Sequence, residues 1–179
     1  MRWFWIDRFV EFESGRRAVA TKNISLVEEQ MDGYGPWLPL MPASLIIEGL
    51  AQTGGLLVGE RNAFQERVVL AKIGKASFHR PAMAGDTLTY TVVVENIQAD
   101  GAICNGTSHI GDELHAEVDL VFAHLDDRFF GVELFEPADF LRMLRLLRMF
   151  EVGRTDGGEP LKIPDHLLRA EREEYAAPD

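Results

Sequence analysis

Hydrophobic and polar positions alternate through much of this chain, and one long stretch breaks the alternation. The cleanest period of two runs over residues 113–123. Leu114, Ala116, Val118, Leu120 and Phe122 share one face, with Glu113, His115, Glu117 and Asp119 on the other. Residues 87–96 alternate in the same way, Leu88, Tyr90, Val92 and Val94 against Thr and Glu, and Asp100-Gly101 signals a hairpin into a strand over 102–110. Residues 4–12, rich in Phe, Trp, Ile and Val, turn at Ser14-Gly15 and return over 17–24 as a further hairpin. Two short strands are predicted over 68–73 and 75–80, parted by Gly74.

Residues 43–59 are different: they are apolar almost all round and predict a buried helix. Gly49, Gly54 and Gly55 each cost about 1 kcal/mol against Ala in an ordinary helix. They make sense where a sheet wraps closely around it. One central helix with antiparallel strands mostly after it predicts an α+β fold. Residues 25–42 form a Gly- and Pro-rich loop too long for a simple connection, and its Tyr34, Trp37, Leu38, Leu40 and Met41 favour a functional role. The chain thus divides into a domain over residues 1–124 and a helical C-terminal extension over 125–179. In the extension a helix is predicted from Pro137 through Phe150, with Arg142, Arg145 and Arg148 as the solvated edge of an apolar face that covers the sheet. A Gly-rich break over 153–158 and a short charged helix over 165–175 follow.

Charge narrows the possible partners. Across 179 residues, 18 Lys and Arg face 29 Asp and Glu, for a net −11. Such a surface argues against nucleic acid, whose phosphates need local cations. The single cysteine, Cys104, excludes a disulfide framework, and its strand offers no base to activate a thiol. There is no signal-peptide pattern, and Pro36, Pro39, Pro42 and Glu48 punctuate the longest uncharged region, so a cytoplasmic protein without a membrane span is expected. No phosphate loop, dinucleotide fingerprint or metal-ligand spacing is present; no cofactor and no metal are expected.

Glu48 is the residue that needs explaining. A carboxylate inside an apolar helix is costly unless paired, hydrogen-bonded or protonated. Gln52, at i+4, lies on the same face and within reach. Burial would raise the pKa of such a group toward the range of a useful general acid or base. A purely structural carboxylate satisfied by the loop's backbone fits the same residues.

The run Met41-Pro42-Ala43-Ser44-Leu45-Ile46-Ile47-Glu48-Gly49-Leu50-Ala51-Gln52 resembles the central-helix signature of the 3-hydroxyacyl-acyl-carrier-protein dehydratases, lyases of fatty-acid synthesis with a hot-dog fold. The resemblance covers most of residues 3–124. It takes in Asp7-Arg8, Ser14-Gly15, Lys22-Asn23, the run from Lys75 through Pro81, and Gly85-Asp86. It implies a long helix wrapped by a curved antiparallel sheet, in a homodimer or dimer-based hexamer with active sites at the subunit interface. It also implies that Glu48 is the catalytic acid, assisted by Gln52. The start of the helix, Met41, Pro42, Ala43 and Ser44, would bind substrate, with N–H groups near Ala43 and Ser44 polarising a thioester carbonyl.

One position departs from the family pattern. The family keeps a catalytic His in the loop, and in the same register this chain has Tyr34. A phenol with a reference pKa of about 10 is a poor base at neutral pH, though it donates a hydrogen bond well. No other histidine is an evident substitute: His79 borders the strand motif, His115 sits on a polar strand face, His109 and His124 fall in or at the ends of late strands, and His166 lies in the extension. Three readings follow. The first is a dehydratase with altered acid/base machinery built on Glu48 and Tyr34. The second is a hot-dog acyl-thioesterase. The third is a non-catalytic acyl-thioester-binding subunit paired with a catalytic relative in a heterodimer.

The implied partner is an acyl carrier protein or an acyl-CoA thioester. Carrier proteins are acidic, so docking needs local positive charge. Residues 61–80 supply Arg61, Arg67, Lys72, Lys75 and Arg80 against the single acid Glu66. That segment carries a local +4 and leaves −15 on the rest of the chain. Arg142, Arg145 and Arg148 form a second candidate stripe.

Overall fold

The computed structural model describes residues 4–34, 37–125 and 135–176, with the side chains of Asp32 and Tyr34 outside that description. Seven strands make one sheet: β1 (Arg8–Glu13), β2 (Arg17–Asn23), β3 (Val68–Phe78), β4 (Thr87–Gln98), β5 (Gly101–Ile110), β6 (Glu113–His124) and β7 (Gly153–Arg154). Their order is β3-β6-β5-β4-β2-β1-β7, antiparallel throughout except where β7 runs parallel to β1. Helix α1 (Ala43–Glu60) packs against β2 through β6, and the strands curve around it. This is the α+β hot-dog arrangement.

The wrapping is tight enough to dictate glycine. A Cβ on Gly49 would lie 2.5 Å from the ring of Tyr90 and 2.8 Å from the carbonyl oxygen of Trp5. One on Gly54 would lie 2.9 Å from the ring of Phe122. Loss of helix propensity at these positions is the condition for bringing the sheet that close. Gly55 meets nothing nearer than 3.6 Å and is not required in the same way. The buried stripe of α1 includes Ile46, Leu50, Leu57 and Val58, while Leu45, Ile47, Glu48, Gln52 and Leu56 stay half-buried. The helix is therefore not buried all round.

Several expectations are corrected. The predicted strands over 68–73 and 75–80 are one strand, β3; bulges beside Leu70 and Ile73 absorb the irregularity, and Gly74 does not interrupt it. The first strand begins only at Arg8. The alternation over residues 113–123 slips at its start. Ser108 pairs with Ala116 and His109 with Leu114, so His115 is the extra residue of a β-bulge. The slip turns Leu114 outward, at 37% exposure, and buries His115 completely.

The extension is α2 (Pro137–Leu146), α3 (Met149–Val152), β7 and α4 (Asp165–Ala176). Its first helix does not reach Phe150 unbroken, because Arg148 adopts a left-handed conformation at φ 60° and splits α2 from α3. Leu141, Leu144, Leu147 and Met149 are buried in the same cluster as Phe9 and Phe12 of β1. The three arginines are not a free basic stripe. Arg142 pairs with Asp139 at 2.5 Å and with Glu174, Arg145 with Glu171, and Arg148 with Glu151 at 2.7 Å.

Candidate functional site

Motif residues far apart in the chain meet beneath the long loop. Asp7 accepts hydrogen bonds from the backbone N–H of Asn23 (2.7 Å) and from its side-chain amide (2.8 Å), and Thr87 donates to Asn23 Oδ1. Lys22 is 7% exposed, with Nζ 2.8 Å from Glu28 and 3.8 Å from Asp7. Gly85, at φ 96°, makes the turn in which Asp86 accepts from the N–H of Met83, while the Asp86 carbonyl accepts from Ile24. A buried ammonium is stable only when paired in this way. These contacts fix the start of the loop; Met41 N–H to the carbonyl of Ala82 (2.9 Å) fixes its end.

From that anchor α1 begins. Met41 is buried, Pro42 and Ala43 are half-buried, and Ser44 is exposed. No side chain caps the helix, and the N–H groups of Leu45 and Ile46 both turn to the Pro42 carbonyl. Those of Ala43 and Ser44 have no intrahelical acceptor, as the geometry of a helix start requires. One turn further, Gln52 Nε2 donates to Glu48 Oε1 at 3.0 Å, while Gln52 Oε1 accepts from the Trp5 N–H at 2.9 Å. The second bond fixes which way the amide points, so its NH₂ end is necessarily turned to the carboxylate. Glu48 is thereby held, half-buried, through Oε1, and no hydrogen bond to its other oxygen occurs among the described residues.

The remaining candidates are scattered. Tyr34 closes a 3₁₀ turn over Glu29–Tyr34, and its side chain lies outside the described residues, as do Gly35 and Pro36. Trp37 (93% exposed) and Leu38 are not packed on the domain's own core. Arg61 follows α1, Arg67 precedes β3, Lys72 and Lys75 are exposed along β3, and Arg80 pairs with Glu113. An 11-residue strand spans roughly 35 Å, so this set is strung out rather than gathered. His79 Nε2 lies 3.1 Å from Glu117 on the surface, and His124 Nδ1 lies 2.5 Å from Glu66. Burial, with the charge of Glu95 adding to it, pushes the Cys104 thiol up to about 12. Among the described residues no group of three or more His, Cys, Asp or Glu is placed to hold a metal ion, and no helix is long and apolar enough to cross a membrane.

His115 is the residue the sequence pattern misassigned. Its Nδ1 lies 3.0 Å from Ser108 Oγ, both side chains are fully buried, and the ring borders a cleft beside the start of α1. Burial, reinforced by the charge of Arg80, holds its pKa below the ordinary histidine value. Only the register slip puts it there.

A curved sheet around a glycine-notched helix, with a braced carboxylate on that helix, defines a hot-dog domain. Residues 3–117 match the FabA-like domain, and the chain belongs to that family. The 3-hydroxyacyl-acyl-carrier-protein dehydratase FabZ of Symbiobacterium thermophilum is 40% identical over 122 residues, covering 68% of this chain and 86% of that protein. The FabZ of Desulforamulus reducens is 37% identical over 119 residues, covering 66% and 84%. With relatives of this kind over most of its length, the chain is dehydratase-like. Among solved structures, a dehydratase heterocomplex from Xenorhabdus doucetiae aligns with a TM-score of 0.57 at 13% identity, over 70% of this chain and 86% of that one. A hypothetical thioesterase with coenzyme A from Streptococcus pneumoniae gives 0.55 at 10%, over 66% and 84%. These last two likenesses concern the fold alone.

Proposed function

We propose that this protein dehydrates 3-hydroxyacyl thioesters, with Glu48 as its acid/base group and Gln52 as the residue that aims it. The observation that carries this reading is the chain of bonds from Trp5 N–H through Gln52 to Glu48 Oε1. Both ends of the Gln52 amide are thereby committed, and its NH₂ end holds the Glu48 carboxylate in one orientation. In the reaction the C2–H and C3–O bonds break, the C2=C3 bond forms and water leaves. Glu48 takes the C2 proton and returns one to the departing hydroxyl, while the free N–H groups of Ala43 and Ser44 stabilise negative charge on the thioester oxygen. Tyr34, standing where the family has its His, supplies a hydrogen bond and not a base. No cofactor is needed for this step.

The working unit is a dimer formed along β3, whose outer edge pairs with no strand among the described residues and which exposes Leu70, Ile73 and Phe78. The thioester is carried on an acidic carrier protein or on CoA in a cytoplasmic setting, with Arg61, Arg67, Lys72, Lys75 and Arg80 offering cations spread along β3 and its two ends rather than one gathered patch. The test supplies a 3-hydroxyacyl thioester and follows both enoyl absorbance and thiol release. Enoyl formation is expected, with Glu48→Gln slowing it about 100- to 10,000-fold. Thiol release without enoyl product would make the protein a thioesterase. Neither product, with thioester binding intact, would make it the binding subunit of a heterodimer.

A further inference from the structure

The structure assigns a second polar anchor to this protein. His115, held by Ser108, lines the small cleft beside the start of α1, and through Nε2 it binds an uncharged oxygen of the substrate, a hydroxyl or a thioester carbonyl. The inference rests on the thioester reading above and adds a residue to it.

The cleft has a volume of about 120 Å³, room for a handful of non-hydrogen atoms, and is lined among others by Met41, Ala43, Ile46, Phe78, Arg80 and His115. Its walls are mostly apolar. Arg80 is ion-paired with Glu113. The imidazole is fixed on two sides: Ser108 Oγ holds Nδ1, and the Phe78 ring meets it edge-on with centroids 6.2 Å apart. Its remaining polar atom, Nε2, is buried and has no hydrogen-bond partner among the described residues. Buried ring nitrogens are rarely left so, and a ligand atom is one of the few things that completes them. Burial keeps the ring neutral near pH 7, so it recognises a neutral oxygen and not a carboxylate. The Ser108 hydroxyl rotates, so the pair works in either direction. If Ser108 donates to Nδ1, Nε2–H donates to a carbonyl; if it accepts, Nε2 accepts from a hydroxyl.

His115 and Glu48 differ in what they can do. Glu48 sits on the side of α1 tied to Trp5, whereas Ile46 and Ala43 line the His115 cleft. His115 is therefore a binding and positioning residue, and its loss raises KM more than it lowers kcat.

Two substitutions separate binding from architecture. A Gln amide reaches as far as Nε2, and an Asn amide only as far as Nδ1. With 3-hydroxybutyryl-N-acetylcysteamine as the probe, His115→Gln is expected to keep KM within a few-fold. His115→Asn, which preserves only the bond to Ser108, should raise it about tenfold, the size of one hydrogen bond. The reverse order, Asn tolerated and Gln not, overturns the proposal, as does an unchanged KM in both. A measurement free of variants runs alongside: in ¹⁵N-histidine-labelled full-length protein, saturating probe should shift the His115 Nε2 resonance more than Nδ1. A probe that binds without moving Nε2 overturns the anchor and leaves the dehydratase reading intact. A probe that does not bind the unmodified protein overturns both.

Discussion

Strands β1 and β3 bound the same sheet, yet one ends against the chain's own C-terminal segment and the other against no strand at all among the described residues. On the β1 side, β7 pairs Gly153 with Phe12 and Arg154 with Glu13, and the Phe9 N–H reaches the carbonyl of Leu147. Beneath them Leu141, Leu144 and Met149 are fully buried. On the β3 side eleven residues run with their outer backbone groups unmatched by a strand, and seven in succession, residues 70–76, are exposed. An open edge is a template for pairing, and proteins usually blunt it or use it. This chain blunts one edge with a segment beyond the 3–117 family match and leaves the other in a state that suits a second copy. The extension thereby covers one of the two ends of the sheet.

The largest effect expected from breaking this comparison is on the covered edge. Leu144→Ala removes a fully buried side chain from beneath β1 and should cost about 2–5 kcal/mol, read by urea unfolding. A cost under about 1 kcal/mol would mean that the extension merely rests on the sheet. On the open edge the expected change is in mass and not in fold. Leu70→Lys with Ile73→Lys puts two charges on exposed positions, so the protomer should unfold within about 1 kcal/mol of the original. Sedimentation should then report a 20.1 kDa monomer in place of a dimer. If the unmodified chain already sediments at 20.1 kDa, β3 has some other use.

The contrast between the edges also marks what the sequence can and cannot convey. Helix α1 was readable because apolar periodicity and three glycines leave few alternatives, and Glu48 with Gln52 because i and i+4 share a face by geometry alone. Trp5, whose N–H orients Gln52 from 47 residues away, has no local signature. Strand β7 is two residues long and is defined only by its pairing with β1, so no pattern announces it. Arg148 breaks a helix in a conformation usually left to Gly or Asn, and nothing in its side chain advertises that. His115 was misplaced for the most instructive reason. Counting odd and even positions assumes a one-to-one ladder, and a single bulge reverses every assignment on one side of it.

That bulge lies on β6, the strand beside β3, and it makes the open side of the sheet the pH-sensitive one. Burial first, then the charges of Arg80 and His79, lower the folded-state pKa of His115, with Asp86 opposing. As pH falls below about 6.5 the unfolded chain takes up a proton that the folded chain refuses, so stability declines through the window between the unfolded and folded values. Above that window the contribution is constant. Glu60, whose pKa burial raises, acts in the opposite sense near and above 4.5, and it is common to both proteins in a comparison with His115→Gln. Between pH 7.5 and 5.5 the unmodified chain should therefore lose more stability than His115→Gln. Equal losses would mean that the ring is not desolvated.

The smallest effect belongs to the charges of the extension. Arg145 pairs with Glu171 across α2 and α4, and its side chain is 43% exposed. Solvent screens an ion pair of that kind, and holding two long side chains in register costs conformational entropy. Arg145→Ala should thus lower stability by about 0.5 kcal/mol, with the loss shrinking further in 0.5 M salt. What fastens the extension to β1 would then be the leucines and Met149 beneath it, with the arginines only trimming its outer face. A loss of several kcal/mol on Arg145→Ala would reverse that ranking and make the covered edge an electrostatic latch, one that salt should open.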